Sequence, residues 1–184
     1  MPFYQIYHTY PLHQTQRQSI ALSITNLHCK AFSTPAFFVH VSFSYQDSKT
    51  DDGTYFMAGK LHSGNSNRIV ALVRTSASRT KEDFDNLAAS IEDAWNKALR
   101  EPIDKNIKGN DEFDESKRLL MVVFTPILAI REGGMVIPEA GHDDNWLTRQ
   151  LPYVKALAEK HNINDFKDLV GEIEQWKTSH GQMD

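Results

Sequence analysis

Pro2-Phe3-Tyr4-Gln5-Ile6-Tyr7-His8, which directly follows Met1, is the stretch of sequence that decides the fold. Aromatic and β-branched residues dominate it, so we expect a strand from Phe3 to His8. If Met1 is removed, this strand begins with a secondary amine. An α-amino group titrates near ~8 before any environment acts on it, so it can serve as a base, an acid or a nucleophile at neutral pH. The alternative is an ordinary chain end, because termini are commonly mobile.

A helix and a second strand are predicted after this segment. Polar residues from Gln14 to Ser19 open the helix, and its apolar positions recur every three or four residues, at Ile20, Ile24, Leu27 and Ala31. His28 lies one turn beyond Ile24, so we expect it to face the buried side. Apolar residues in every second position predict the strand: Phe37, Val39, Val41, Phe43 and Tyr45. With the first strand, these elements form a β-α-β unit.

The same order of elements is predicted in the second half of the chain. Ile69 to Val73 is a nearly continuous apolar run, typical of a strand covered on both faces. A helix follows Thr80, with Asp83 placed to complete its N-terminal cap. Its apolar stripe is Phe84, Leu87, Ala88, Ile91, Trp95 and Ala98. A charged excursion from Glu101 to Lys117 then precedes a further buried strand, Leu119 to Phe124.

These two units predict the fold class. We expect an α+β domain over residues 1–146, built from two tandem β-α-β units at about 1–60 and 61–146. The units share one four-stranded sheet with two helices on one face. Residues 147–184 form a C-terminal helical extension with no linker before it, so we expect it to pack on the same domain as a cover or an oligomer contact. Its predicted helices are Leu147 to His161 and Asn164 to Thr178.

Composition and charge exclude several classes of partner. The 184 residues include 20 basic and 24 acidic ones, a formal charge of -4 without long runs of one sign, so we expect no nucleic-acid partner. The single cysteine, Cys29, excludes an intrachain disulfide and suits a reducing compartment. No apolar run is long enough to span a membrane, and the pattern of a signal peptide is missing. We therefore expect a cytoplasmic protein without a membrane partner.

The eight histidines do not predict a metal site. None is spaced from another histidine, a cysteine or a carboxylate as in the known metal motifs, so we expect neither a metal nor another cofactor. His28 and Cys29 are adjacent, and neighbours on a helix point about 100° apart, which does not suit a nucleophile and its base. A buried, unreactive thiol is the better interpretation of Cys29.

Four other features suggest a binding or catalytic site. Arg74 and Arg79 follow the end of a buried strand, where sheets commonly place ligands, and two guanidinium groups can hold a carboxylate. Glu132 precedes Gly133-Gly134, where the chain can turn sharply and present a carboxylate. Solvated loop residues are the alternative for all three side chains. His28 is either a hydrogen-bonded core residue or a catalytic one.

Together these residues resemble the tautomerase superfamily, and within it the branch of cis-3-chloroacrylic acid dehalogenases. The resemblance runs from Pro2 to about Trp146. The matching segments are Pro2-Phe3-Tyr4, Ile24-Thr25-Asn26-Leu27-His28, Arg74 and Arg79, Glu132, Pro138, and Gly141-His142 to Trp146. Such proteins use an amino-terminal proline on a β-α-β fold, and in this branch two tandem units form each of three subunits in a ring.

The resemblance implies a role for each matching residue. Pro2 is the amine that donates or accepts a proton, and Arg74 with Arg79 binds the carboxylate of the substrate. Glu132 activates water. His28 helps to bind or polarise the substrate.

The activity that the resemblance implies depends on how many catalytic groups each candidate reaction needs. Tautomerisation needs a carboxylate clamp and one proton-moving group, whereas hydration also needs a base for water. The branch uses a further tyrosine before the glutamate, and the equivalent position here is Met121. We therefore expect a homotrimeric, cofactor-independent tautomerase of a small 2-oxo or unsaturated carboxylic acid. Hydration or dehalogenation of 3-haloacrylates, a malonate-semialdehyde-type decarboxylase or hydratase, and a non-catalytic scaffold are the alternatives.

Overall fold

A mixed four-stranded sheet organises the chain. The computed structural model describes residues 1–47, 55–62, 66–100 and 114–179. Its elements are β1 (Phe3–His8), α1 (Gln14–Phe32), β2 (His40–Tyr45), β3 (Phe56–Met57), β4 (Lys60–Leu61), β5 (Asn67–Val73), α2 (Lys81–Arg100), β6 (Leu119–Pro126), β7 (Arg131–Glu132), β8 (Met135–Val136), α3 (Asp143–Glu159) and α4 (Asn164–Ser179). The sheet has the order β2-β1-β5-β6, with parallel outer pairs and an antiparallel central pair. The predicted α+β class is confirmed.

The first core lies between this sheet and the helices α1 and α2. Tyr4 stands opposite Ala71 in the central pair of strands, Ile6 stands opposite Ile69, and all four are buried. In α1 the buried positions are four residues apart: Gln16, Ile20, Ile24 and His28. Ala31, predicted on the buried side, is exposed, because the buried stripe follows this spacing of four and is narrower than the sequence indicated.

The opposite face of the sheet, here called the open face, carries no helix among the described residues. Because both helices lie on one face, β5 buries its alternate residues on that face only, so the prediction of a strand covered on both faces was wrong. β6, predicted to be buried over Leu119 to Phe124, is an edge strand in which only Leu119 is buried. Apolar side chains are left 39–40% exposed on the open face, and they are Phe3, Leu72 and Met121.

The strand β2 begins three residues later than predicted, at His40 instead of Phe37. Residues Ala36–Phe38 form a short 3-10 helix. The carboxylate of Glu172 in α4 accepts a hydrogen bond of 2.8 Å from the backbone N–H of Phe37. A partner 135 residues away in the chain thus holds a turn that local alternation could not reveal.

Asn67 connects the two β-α-β units. Its Oδ1 accepts hydrogen bonds from the backbone N–H groups of Thr9 at 3.0 Å and Tyr10 at 3.2 Å, both in the first unit. Its Nδ2 donates to the carbonyl oxygens of Ser116 at 2.8 Å and Arg118 at 3.0 Å, ahead of β6. Because this buried amide uses both its oxygen and its nitrogen, it ties the end of β1 to the start of β6.

The predicted charged excursion, Glu101 to Lys117, lies mainly outside the described residues. The description resumes at Asp114, and Glu115–Lys117 form a short 3-10 helix there. Within the described part of the chain, no helix combines the length and the apolar character that crossing a membrane requires.

The helices α3 and α4 build a second core over the start of the chain. α3 begins at Asp143, so the predicted start at Leu147 lies within the helix. Met1 is only 4% exposed and belongs to this core. The other buried members are Phe38, Met135, Ile137, Trp146, Leu147, Val154, Leu169 and Ile173. The C-terminal helices therefore cover the N-terminus.

Candidate active site

Pro2 lies at one end of the sheet, just ahead of β1, and is buried. Its carbonyl oxygen accepts a hydrogen bond of 3.1 Å from the backbone N–H of His40, the first residue of β2. In the antiparallel neighbour β5, Leu72 stands opposite Phe3. The start of β1 is thus beside the end of β5, and Arg74 follows that end directly.

His28 approaches the same end of the sheet from α1. Its Nδ1 lies 2.7 Å from the hydroxyl of Tyr4, and both side chains are buried. If the hydroxyl donates to Nδ1, the imidazole carries its proton on Nε2. The reverse arrangement would leave the Tyr4 hydroxyl proton without an acceptor among the described residues, so we assign the first. Nε2 is buried and has no hydrogen-bond partner there, so this N–H can still donate one hydrogen bond.

Burial keeps the His28 imidazole neutral. Loss of solvation is the main cause that lowers its pKa, to about 3, and the positive charges of Arg79, the chain's amino group and Arg74 lower it further. The same burial raises the pKa of the Tyr4 hydroxyl, with a smaller contribution from Cys29, so it stays protonated. His28 therefore offers a neutral N–H donor close to three cationic groups.

Arg74 is buried and contacts the loop after β8. Its Nη1 donates to the carbonyl oxygen of Pro138 at 3.0 Å and to that of Glu139 at 3.4 Å. A cavity of about 470 Å³ adjoins it, lined by Arg74, Thr75 and residues 126–130 and 137–140. This cavity does not include Pro2, His28 or Glu132 in its lining.

Arg79 joins Arg74 to α1. Its Nη1 donates to the carbonyl oxygen of Arg74 at 3.2 Å, and its Nη2 donates to that of Phe32 at 3.3 Å. The guanidinium lies 4.7 Å from the centre of the Phe32 ring, which in turn lies 5.0 Å from the His28 ring. Both arginines therefore lie near His28, although the hydrogen bonds named here run to carbonyl oxygens instead of converging on one point.

Glu132 reaches the site through His40. His40 Nε2 donates to Glu132 Oε1 at 3.1 Å, and the carboxylate side chain is 26% exposed. Glu132 ends β7, and Gly133 and Gly134 turn the chain into β8 with φ of 54° and 84°. These values favour glycine. The predicted sharp turn after Glu132 is therefore present, and it points the carboxylate toward the start of β2.

Two residues of the site were missed by sequence reasoning. Tyr4 is the hydrogen-bond partner of His28. The alternation of β1 could have placed Tyr4 on the side of the sheet that α1 covers. His40 occupies a polar position between the apolar residues Val39 and Val41, and no local signal shows that it bonds Glu132. Met121 pairs with Arg68 on the open face and provides no hydroxyl. All five predicted side chains thus lie around one end of the sheet, with Tyr4 and His40 holding two of them.

Three or more metal-ligating side chains do not come together anywhere in the described residues. The candidate site holds a proline at the head of a strand, a neutral imidazole, two guanidinium groups and a carboxylate. Such a set can bind an anion and transfer protons.

Tandem β-α-β units with a proline-led first strand define a tautomerase-like class of protein. Residues 1–150 match the family model described as "Putative oxalocrotonate tautomerase enzyme". The chain belongs to this family, and the resemblance to the tautomerase superfamily is confirmed. No curated protein matches the chain.

Solved structures support the same fold. A member of the cis-3-chloroacrylic acid dehalogenase family, N1, is 21% identical with a TM-score of 0.56, over 79% of this chain and 90% of that chain. A fused 4-OT symmetric trimer, Q0, is 13% identical with a TM-score of 0.51, over 76% and 99%. A fused 4-OT asymmetric trimer, F6, is 17% identical with a TM-score of 0.50, over 73% and 94%. At these identities the similarity shows the fold alone.

Proposed function

We propose that the protein is a cofactor-independent tautomerase that uses Pro2 as its acid and base on a small 2-oxo or unsaturated carboxylic acid. One observation carries the proposal: the start of β1, with Pro2, lies beside the end of β5 that Arg74 follows, and Tyr4 of the same strand bonds His28. Family membership supports it. With Met1 removed, the Pro2 nitrogen becomes a secondary amine in this setting.

In the proposed reaction Pro2 moves one proton. Its nitrogen takes a proton from the carbon next to the substrate carbonyl and returns it to the enol form in the reverse direction. The Nε2–H of His28 donates to the substrate oxygen that gains negative charge. Arg74 and Arg79 bind the carboxylate of the substrate. This carboxylate competes with the backbone carbonyl oxygens that accept hydrogen bonds from the two arginines.

A second candidate function is hydration of an unsaturated acid, and Glu132 favours it. This carboxylate is partly exposed and bonded to His40, which adjoins Pro2. It would accept a proton from water while Pro2 donates one to the substrate carbon. Dehalogenation of 3-haloacrylates follows the same course, and decarboxylation of a malonate-semialdehyde-type acid needs the same clamp.

The functional test replaces Pro2 in the chain that begins at residue 2. Pro2→Ala is expected to lower the rate of phenylpyruvate tautomerisation at least about a hundredfold, because a positioned acid-base group contributes that much or more. A chain that retains Met1 should be equally inactive, since its Pro2 nitrogen is an amide. The matched control is Pro11→Ala, at an exposed proline. Intact mass establishes which form is assayed.

The outcomes separate the candidates. Full activity in Pro2→Ala or in the Met1-retaining chain would refute the mechanism. Glu132→Gln should spare tautomerisation and abolish hydration of 3-haloacrylates, if the second function exists. A chain beginning at Pro2 that is inactive on these acids and gains no thermal stability from any carboxylate would instead be a non-catalytic scaffold.

We also propose that the protein assembles as a homotrimer in the cytoplasm. The open face of the sheet supports the assembly, because exposed apolar side chains lie there in adjacent strands. The single cysteine supports the compartment.

A further inference from the structure

The position of Met1 marks a space next to the proposed reacting atom. Its carbonyl carbon is bonded to the nitrogen of Pro2, so Met1 fills the volume into which that nitrogen would otherwise point. A reacting atom must approach within about 3–3.5 Å of its partner. When Met1 is absent, a molecule that reacts at Pro2 must therefore enter the space that Met1 occupies.

The two ends of Met1 lie in different surroundings. Burial is the main cause that lowers the pKa of His28, and the charged amino group of Met1 lies close enough to this imidazole to lower it further, as Arg79 and Arg74 do. Its side chain belongs to the second core and is 4% exposed. This space is therefore polar at one end and apolar at the other.

The apolar end is built by the C-terminal helices. Trp146 and Leu147 of α3 and Ile173 of α4 share the core with Met1, as do Met135 and Phe38. The Phe38 and Trp146 rings lie 5.9 Å apart, and the Trp146 indole N–H donates to the carbonyl oxygen of Val136 at 2.8 Å. These contacts hold the apolar walls in place from three separate parts of the chain.

We propose that the space of the Met1 side chain is a pocket for the substrate's tail, and that the substrate is a 2-oxo acid with an unbranched apolar chain about as long as a methionine side chain. The proposal rests on the proposed function of Pro2. The carboxylate of such an acid lies with the arginines, its carbonyl oxygen with His28, and its chain among the apolar residues. Short acids such as pyruvate leave the pocket empty.

The matching probe is 2-oxohexanoate, because its carbons 3 to 6 correspond to Cβ, Cγ, Sδ and Cε of methionine. At Pro2 the bond between carbon 3 and hydrogen breaks, and the nitrogen takes the proton. The electron pair forms the double bond between carbons 2 and 3 of the enolate, whose oxygen accepts a hydrogen bond from the Nε2–H of His28, and the protonated amine exchanges its protons with heavy water. Return of a deuteron from heavy water to carbon 3 restores the 2-oxo acid and labels it, so that NMR can follow the exchange.

The first experiment compares acids of increasing length with the chain that begins at Pro2. Each buried methylene is expected to raise kcat/KM about fourfold, so 2-oxohexanoate should exchange about fiftyfold more efficiently than pyruvate. The increase should stop there, and 2-oxo-octanoate should be a poorer substrate because its chain exceeds the pocket.

Two variants of β8 test the location of the pocket. Met135→Trp fills it and should lower the preference for 2-oxohexanoate over pyruvate at least tenfold. Val136→Trp is the matched control, because this next residue is 65% exposed and should leave the preference unchanged. If Met135→Trp does not fold, Met135→Ala is used, which widens the pocket and should shift the optimum toward 2-oxo-octanoate.

Failure of the pocket and failure of the proposed function are distinguishable. Equal kcat/KM for pyruvate and 2-oxohexanoate, with exchange still dependent on Pro2, would overturn the pocket alone. If no acid exchanges hydrogen at carbon 3, calorimetry with hexanoate and acetate tests the pocket without requiring activity. Hexanoate should then bind more tightly than acetate to the chain beginning at Pro2 and lose that advantage when Met1 is present. Equal binding of the two would overturn the pocket.

Discussion

Tyr4 and His28 form a buried pair in which the hydroxyl selects the tautomer of the imidazole. The hydroxyl donates to Nδ1, so the imidazole keeps its proton on Nε2, and burial keeps the ring neutral. A neutral imidazole can donate a hydrogen bond to a substrate oxygen without adding a charge beside Arg74 and Arg79. This pair supplies a donor in a site where Met121 provides none.

The buried imidazole gives the protein a specific response to acid. The folded protein protonates His28 only near pH 3, whereas an ordinary histidine is protonated near 6.5, so the unfolded chain binds more protons between these values. Stability should therefore fall as pH decreases through this window, by up to about 1.4 kcal/mol per pH unit from this residue. Urea denaturation between pH 7 and pH 4 measures the slope.

The control for this prediction is a second histidine variant. His28→Gln should flatten the pH dependence of the unfolding free energy relative to the wild type, while His161→Gln, at an exposed residue, should leave it unchanged. Identical slopes in wild type and His28→Gln would show that the His28 proton does not control acid stability.

At the level of single residues, helical spacing was enough to predict that His28 is buried. Pro2, Arg74, Arg79 and Glu132 were found by residue type and by resemblance. Their hydrogen bonds were not predictable, because the acceptors of Arg74 lie 64 and 65 residues further along the chain. Long-range partners of this kind leave no local pattern.

The β7–β8 hairpin is the element that joins Glu132 to the C-terminal helices. Tyr153 of α3 donates to the carbonyl oxygen of Gly133 at 3.0 Å, and Phe166 of α4 packs over the same glycine. A Cβ added at Gly133 would lie 2.5 Å from Cζ of Phe166. The position of Glu132 therefore depends on how α3 and α4 lie against this turn.

Gly133→Ala is expected to destabilise the protein for two reasons. A positive φ costs an L-residue about 1–2 kcal/mol, and displacing Phe166 adds about 1–3 kcal/mol. Gly59→Ala is the matched control, because Gly59 has φ of 74° and no atom within 4 Å of the added Cβ. Chemical denaturation of both variants isolates the clash, and equal losses of stability would contradict the close contact.

The extents of α1, α2 and the two C-terminal helices followed from apolar spacing to within a few residues. The surface that the C-terminal helices cover could not be predicted. An amphipathic stripe shows that one face of a helix is buried but not what it packs against. The start of β2 was wrong for the same reason, since the turn at Phe37 is held by Glu172 of α4.

At the scale of the whole molecule, the arrangement of both helices on one face of the sheet was predicted. The exposure of apolar side chains on the other face was not. The apolar run Ile69 to Val73 was interpreted as a strand covered within one chain. Val70 and Leu72 of that run instead lie on the open face. If the proposed trimer forms, this face is where we expect a second cover.

The proposed trimer predicts the effect of a charge on the open face. Leu72→Glu should dissociate the assembly, because burying an unpaired carboxylate at an apolar interface is costly. Leu128→Glu is the control, because Leu128 is fully exposed away from the sheet. Sedimentation velocity should give three times the 21.0 kDa chain mass for the wild type and the control, and the mass of one chain for Leu72→Glu. A wild type that sediments as a single chain would refute the trimer.

The burial of Met1 under the C-terminal helices sets a deadline for the maturation of this protein. A processing enzyme must reach Met1 before α3 and α4 close over it, and these helices leave the ribosome after all the strands of the sheet. At typical rates of synthesis the interval is on the order of ten seconds. We therefore expect Met1 to be removed during translation, before α3 and α4 fold over it, and the folded chain to keep whichever N-terminus it then has.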